Sequence, residues 1–285
     1  MDRRILGGTG YDVSILTFGG IAVDEMEATD AADLVSEAID RGINYFDVAP
    51  SYGQAQYILG PALEPYRKQV YLACKTRKRD AKGAQAELEE SLRALKTDYF
   101  DVYQMHALCT PDEIAQVFAP GGAMEALRNA KEKGLIRNIG FSTHYDSSAI
   151  EIMRNADFAT MLFPVNFAYR EQKAGSLSAL NVCKEKNMGV IAIKAMAHRR
   201  WLDGEERTYP KCWYRPIYDN PELARLALNY TLNRDVTTAP PPGEARMLRF
   251  AMDIIEKQGG KAVPLTPEEQ AVLRAEAKAV KDVIF

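Results

Sequence analysis

The 285-residue sequence is poor in the residues that build metal sites and disulfide frames. It has three histidines, His106, His144 and His198, and four scattered cysteines, Cys74, Cys109, Cys183 and Cys212. No CxxC occurs, and no cysteine stands at metal-ligand spacing from a histidine. The pattern is that of free thiols in a reducing compartment, with no metal expected. No run of 18 apolar residues is present, and "MDRRILGGTG" at the N-terminus has no apolar h-region. Neither a membrane span nor a secretory leader is expected, which makes the cytoplasm the default location. A net charge of -3 and a pI near 5.8 leave no basic footprint for nucleic acid. The one basic run, Lys75 to Lys82, reads as a solvated loop headed by one special lysine. A GxGxxG fingerprint after a first strand is also absent, which argues against an open dinucleotide-binding sheet.

What the chain has is alternation. At 47% apolar and 26% charged it is ordinary globular material. Near-continuous apolar runs of strand length occur at "SILTFGG", "NYFDVA", "VYLACKT", "DVYQMHAL", "NIGFST", "MLFPVNF", "GVIAIKAM" and "VTTAP". Such runs suit parallel strands covered on both faces. Helical stripes lie between them, for example Ala31, Leu34, Val35, Ala38 and Ile39. Eight strand-helix units without a composition break predict an α/β fold, a (β/α)8 TIM barrel, for which about 250 residues suffice. Thr266, Pro267 and Glu269 form a capping-box signature and predict an extra C-terminal helix outside the barrel. Two segments read as long loops, 107–123 and 197–220. The second is rich in aromatics, including Trp201 and Trp213, and is expected to wall a substrate pocket.

Barrel chemistry sits at strand ends. In "NYFDVAPSYG" the second strand carries Asp47 inside an apolar run, with Tyr52 just beyond it. Lys75 ends the third strand and His106 the fourth, each about one βα unit further on. A buried carboxylate needs a partner, and Lys75 one strand away is the obvious one. A phenol near pKa ~10 is a weak acid at neutral pH until an adjacent ammonium stabilises its anion. Lys75 is therefore expected to lower the Tyr52 pKa while Asp47 anchors Lys75. His106 can orient a carbonyl oxygen by a hydrogen bond. The set is a proton donor aimed at C=O, and a hydride must come from a cofactor.

The motifs "FDVAPSYG", "YLACKT" and "DVYQMH" resemble the catalytic tetrad of the aldo-keto reductase family. The likeness extends over nearly the whole chain, through "GLIRNIGFSTH", "FPVNFAYR", "GVIAIKAM" and "VTTAPPPGEA". It implies one barrel domain over residues 1–285 that binds NADPH, with NADH possible, without a Rossmann motif. By the same resemblance Gly19, Gly20 and Ile21 lie near the nicotinamide. Ser142 and Thr143 take the place of the family's Ser-Asn pair at the carboxamide. Asn166 is the nearest amide to a missing glutamine, whose position is held by Leu162. Ile193 stands where an aromatic stacks under the ring, followed by Lys194. Gly243, Glu244, Arg249 and Asp253 fall in the adenosine-phosphate region. These departures weaken the nicotinamide contacts. Ala107 after His106, where an aromatic is usual, implies a roomier pocket on that side. "VIAIKAM" is nearest to a subgroup that often carries a C-terminal iron-sulfur domain, and the 285 residues hold no cysteine cluster for one.

The expected partner is a small-molecule carbonyl or alcohol. The expected activity is NADPH-dependent reduction of an aldehyde, ketone or sugar, or the reverse oxidation. The alternative is a cofactor-binding redox sensor or regulatory subunit with little turnover.

Overall fold

The structure is a computed structural model that describes residues 1–173 and 178–284. Seven parallel strands neighbour one another in chain order: β1 (Phe18–Gly19), β2 (Tyr45–Asp47), β3 (Tyr71–Thr76), β4 (Phe100–Met105), β5 (Ile136–Ser142), β6 (Thr160–Pro164) and β7 (Gly189–Ile193). The eighth position is held by residues 236–239. Thr238 bridges Ile191 of β7 and Ala239 bridges Leu16 just before β1, both in parallel. Backbone bonds from Ala192 N to Thr238 O (2.8 Å) and from Ala239 N to Ile15 O (3.0 Å) close the (β/α)8 barrel. This strand stays short because Pro240, Pro241 and Pro242 follow and have no N–H to extend the ladder.

Helices cover the outside: α1 (Ala28–Asp40), α2 (Ala55–Leu63), α3 (Ala81–Ala94), α4 (Pro111–Phe118), α5 (Ala123–Glu132), α6 (Asp146–Asn155), α7 (Phe167–Lys173), α8 (Ser178–Glu185), α9 (Pro221–Leu232), α10 (Ala245–Lys257) and α11 (Pro267–Ala279). Helix α11 is the extra C-terminal helix, and its Thr266–Glu269 capping box is formed. It packs outside the barrel with Leu273 and Ala277 buried, while Gln172 of α7 donates to Ala277 O and Val280 O.

Strand parity decides which side chains meet. Tyr45, Ala73, Val102, Leu162 and Ile191 form the barrel interior, while Phe46, Leu72, Cys74 and Tyr103 face the helices. With a period of two, Asp47, Lys75 and Gln104 then point inward as well. An antiparallel hairpin that the sequence reading lacked, Arg3–Ile5 with Asp12–Ser14, covers one end of the barrel and adds Leu6 and Val13 to this interior. Its turn runs so close to β7 that a Cβ on Gly7 would stand 2.2 Å from Gly189 N.

Both long loops contain regular structure. Segment 107–123 includes α4, started by a Thr110–Glu113 capping box with Pro111 in the first turn, a signature the loop reading passed over. Segment 197–220 contains a short hairpin, Ala197–Arg199 with Arg215–Pro216. The basic run is not uniformly solvated either. Lys75 and Arg79 are buried, and Arg79 pairs with Glu113 at 2.8 Å.

Candidate active site

The strands converge on a cavity of about 470 Å³ at their C-terminal ends. Asp47 lines its floor, 4% exposed, and is paired with Lys75, which lies fully buried behind it. Lys75 Nζ also lies 3.4 Å from the Tyr52 hydroxyl and 3.5 Å from Val48 O. Tyr52 sits in a turn that needs Gly53 at φ +55°, where a side chain would strike Asp24. Asp24 Oδ1 accepts from Gln54 N at 2.7 Å and pins that turn.

Burial opposes the Lys75 charge, but Asp47 and, after it, Tyr52 together more than offset this, and the ammonium is held above the usual lysine range. In Asp47 burial is the larger effect and pushes the carboxyl up, with Lys75 pulling it down. The Tyr52 phenol is also pushed up. Burial outweighs the downward pull of Lys75, and Asp47 adds to the rise. The expectation that Lys75 brings Tyr52 below the ordinary phenol range is therefore corrected. Tyr52 carries its proton at neutral pH, and Lys75 limits how far burial raises it.

His106 stands across from Tyr52, ring centroids 5.9 Å apart and nearly perpendicular. Burial, followed by Lys75, Arg77, His144 and Arg79, holds its imidazole down to about 2, so the ring is neutral. Its Nδ1 lies 3.4 Å from Ser51 Oγ. If the Ser51 hydroxyl donates there, the proton resides on Nε2, leaving one donor for an oxygen in the cavity. The next residue, Ala107, has φ +50°. That conformation is held by Ser142 Oγ, which accepts from Ala107 N at 2.7 Å, and by Arg79, which donates to His106 O and Ala107 O.

The structure divides the other candidate residues. Gly19, Ile21, Ser142, Ile193, Lys194, Gly243 and Trp213 line the same cavity, as does Leu162. Gly20, Thr143, Asn166, Glu244, Arg249, Asp253 and Trp201 do not. Gly20 packs against Val48, whose Cβ would be 2.7 Å from an added methyl. The Thr143 hydroxyl is turned to Cys109 Sγ at 3.7 Å. Asn166 uses its amide on Lys194 O, Ala197 O and Tyr169 N, and so fixes the turn that gives Lys194 its φ of +70°. Glu244 accepts from Lys211 N at 3.1 Å and anchors the long segment. Arg249 and Asp253 join Glu37 and Arg41 in a network between α1 and α10. Trp201 donates to Cys212 O at 2.8 Å and stacks on Tyr209, so it supports the segment from beneath. Trp213, more than half exposed, sits 5.8 Å from the Tyr52 ring.

The Aldo/keto reductase family model matches residues 15–238, more than three quarters of the chain. The chain belongs to the aldo/keto reductase family. An oxidoreductase of Bacillus subtilis, YqkF, is 24% identical to it over 311 aligned positions, covering 98% of this chain and 97% of that one. The aldo-keto reductase YhdN of the same organism is 31% identical over 196 positions, 62% of this chain and 57% of its own length. Aldo-keto reductase AKR11C1 from Bacillus halodurans, solved in a holo form, superposes with a TM-score of 0.74 at 23% identity, covering 100% and 98% of the two chains. This reductase is accordingly an NAD(P)H-dependent enzyme.

The cavity of the reductase fits a dinucleotide. Asp47 Oδ1 is buried in its floor without a hydrogen-bond partner among the described residues, an acceptor suited to a sugar hydroxyl. The Lys194 ammonium lies over the rings of Tyr214 (4.3 Å) and Trp213 (5.6 Å), and burial lowers its pKa to about 8. A cation in an aromatic shell suits a diphosphate. Sequence reasoning missed Ser51, Arg77 and His144 as lining residues, while Arg200 and Tyr214 come from the 197–220 segment expected to wall the pocket; all five line the cavity. Ser51 and Tyr214 adjoin residues already singled out, and Arg77 is two positions past Lys75, so parity along the strand was the available signal.

Proposed function

We propose that this reductase converts a small aldehyde, ketone or sugar carbonyl to the alcohol with NADPH, Tyr52 delivering the proton. The observation that carries this reading is the position of Lys75, which touches both Asp47 and the Tyr52 hydroxyl at the cavity floor. When bound, the reduced cofactor supplies a hydride to the carbonyl carbon. The chain's own residues handle the oxygen. His106, neutral, donates a hydrogen bond that orients it, and Tyr52 passes its O–H proton to it as negative charge develops there. The phenolate left behind is stabilised by the Lys75 ammonium, which Asp47 holds in place. In alcohol oxidation the same phenolate takes the hydroxyl proton.

Ser142 is positioned for the nicotinamide carboxamide, and Lys194 with Gly243 for the diphosphate. Four free cysteines and the absence of any described helix long and apolar enough to cross a membrane support a cytoplasmic enzyme. The test is NADPH oxidation followed at the nicotinamide absorbance over a panel of aldehydes, ketones and sugars, beside fluorescence titration with NADPH. Turnover of at least one carbonyl class is expected. Binding of NADPH without turnover on a broad panel would turn the assignment to a regulatory subunit.

A further inference from the structure

The charges lining the cavity are lopsided. Asp47 is the only acidic side chain among the described lining residues, and Lys75 neutralises it. Against it stand Arg77, Lys194 and Arg200. Lys194 belongs to the cofactor side just described, and Arg200 lies in the segment next to it. Arg77 is elsewhere. It leaves β3 two residues after Lys75, and its charge acts on the imidazole of His106, second among the cations only to Lys75.

Arg77 is exposed, and its guanidinium makes no salt bridge or side-chain hydrogen bond among the described residues; its backbone N–H alone is held, by Glu87 Oε2 at 3.1 Å. Glu87 is itself engaged by the Thr76 hydroxyl at 2.5 Å. The neighbouring Arg79 differs, being committed to Glu113 and to two backbone carbonyls. Strand parity explains the arrangement: β3 points Lys75 into the barrel and sends Arg77 to the rim on the same side.

We propose that the substrate's carbonyl compound carries an anionic group, carboxylate or phosphate, and that Arg77 receives it beside His106. This deepens the proposed function and rests on the same site. A carbonyl oxygen held by Tyr52 and His106 leaves the rest of a small substrate at the β3 and β4 rim, where Arg77 is the cation within the lining. A guanidinium offers a planar fork that fits either anion by paired, charge-assisted bonds.

Two matched pairs test this: butanal against 4-oxobutanoate, and glyceraldehyde against glyceraldehyde 3-phosphate. The first reads carboxylate and the second phosphate. The anionic member of at least one pair is expected to have the higher kcat/KM. Arg77→Gln should reduce the anionic-to-neutral ratio about tenfold or more, chiefly through KM, the scale of a lost charged hydrogen bond. Arg77→Lys should restore part of it. Calorimetric binding of succinate and of glycerol 3-phosphate to the NADPH-loaded enzyme, where neither can react, gives a readout independent of turnover, and should weaken equally in Arg77→Gln. Neutral substrates preferred in both pairs, with a ratio indifferent to Arg77→Gln, would overturn the inference while leaving carbonyl reduction intact. A loss of NADPH affinity in Arg77→Gln as large as the loss for the anion would also overturn it, making Arg77 a cofactor ligand. A failure of the wider reading shows differently, as no turnover of either member while the anions still bind through Arg77.

Discussion

Lys75 Nζ stands 3.4 Å from the Tyr52 hydroxyl and is bonded on its other side to Asp47, all within a fully buried lysine's reach of the cavity floor. In the proposed reaction one ammonium thus serves two anions, a permanent carboxylate and a phenolate that exists only during turnover. Tyr52→Phe removes the proton and nothing else from this arrangement. Turnover should fall by ~10²- to 10⁴-fold, the usual contribution of a placed general acid, with NADPH affinity and thermal midpoint close to wild type. Steady-state kinetics and NADPH titration on the two proteins check it. Lys75→Met should abolish turnover and also destabilise, because Asp47 is left charged and buried; breaking such a pair costs about 3–5 kcal/mol. Adding Asp47→Asn should recover stability but not turnover, as denaturant unfolding of the three variants would show.

The two cavity histidines predict a loss of stability in mild acid. Burial and nearby cations hold His106 down to about 2, and burial with Lys194 holds His144 down to about 4. In the unfolded chain each returns to roughly 6.5. The unfolded state therefore binds more protons below that pH. Their stabilising contribution is full above 6.5 and is lost as pH falls towards the folded values, by up to about 1.4 kcal/mol per pH unit for each ring. Urea unfolding between pH 7.5 and 5 should show this fall, and His144→Gln should flatten it. Equal stability across that range would mean that the rings take up protons in the folded protein as readily as in the unfolded chain.

The barrel and the convergence of Asp47, Tyr52, Lys75 and His106 were legible in the sequence because both follow from short periodic patterns. Near-continuous apolar runs marked the strands, and Asp47, Lys75 and His106 stood one βα unit apart at their ends. The Lys75–Asp47 pairing followed from the cost of an unpaired buried carboxylate. What escaped notice depended on long-range geometry. Nothing local distinguishes Asn166, which clamps the Lys194 turn, from an amide that faces a ligand. Thr143 and Ser142 are neighbours, yet strand alternation sends one hydroxyl to Cys109 and the other to Ala107 at the cavity. The direction of the Tyr52 shift was misjudged because the depth of burial, which outweighs Lys75, is a property of the assembled barrel.

The tryptophans of the long segment should separate in function. Trp213 lines the cavity beside Tyr52, whereas Trp201 holds Cys212 from behind. Trp213→Ala is expected to raise KM or alter substrate range with little change in thermal midpoint. Trp201→Ala removes a partly buried N–H···O bond and a stacking partner, a loss of ~1–3 kcal/mol, and should lower the midpoint first. Parallel kinetics and thermal unfolding distinguish them; identical profiles for the two variants would mean that the segment acts as one unit.

The proposed preference for NADPH rests on Arg249 as the partner of the 2'-phosphate, and Arg249 is not idle in this structure. Its Nε donates to Glu37 Oε2 at 2.7 Å, across from α10 to α1, and Glu37 is shared with Arg41 at 3.2 Å. Glu244, the nearby acid in the adenosine-phosphate region, is engaged with Lys211 N. Glu37 is then the group that competes with a 2'-phosphate for the Arg249 guanidinium. Surface ion pairs contribute only ~0–1 kcal/mol, and a guanidinium-phosphate contact is the stronger partner. NADPH should therefore win Arg249 from Glu37, at an affinity several-fold below what a free arginine would give. Glu37→Gln is expected to tighten NADPH several-fold and leave NADH nearly unmoved. Arg249→Ala should weaken NADPH selectively, and raised salt should narrow the gap between the cofactors. Fluorescence titration of both nucleotides against the three proteins checks each arm. If Glu37→Gln and Arg249→Ala leave the NADPH to NADH ratio as it is, the preference lies with another cation on the same helix. Arg246, stacked 4.1 Å over Tyr209, is the first to try.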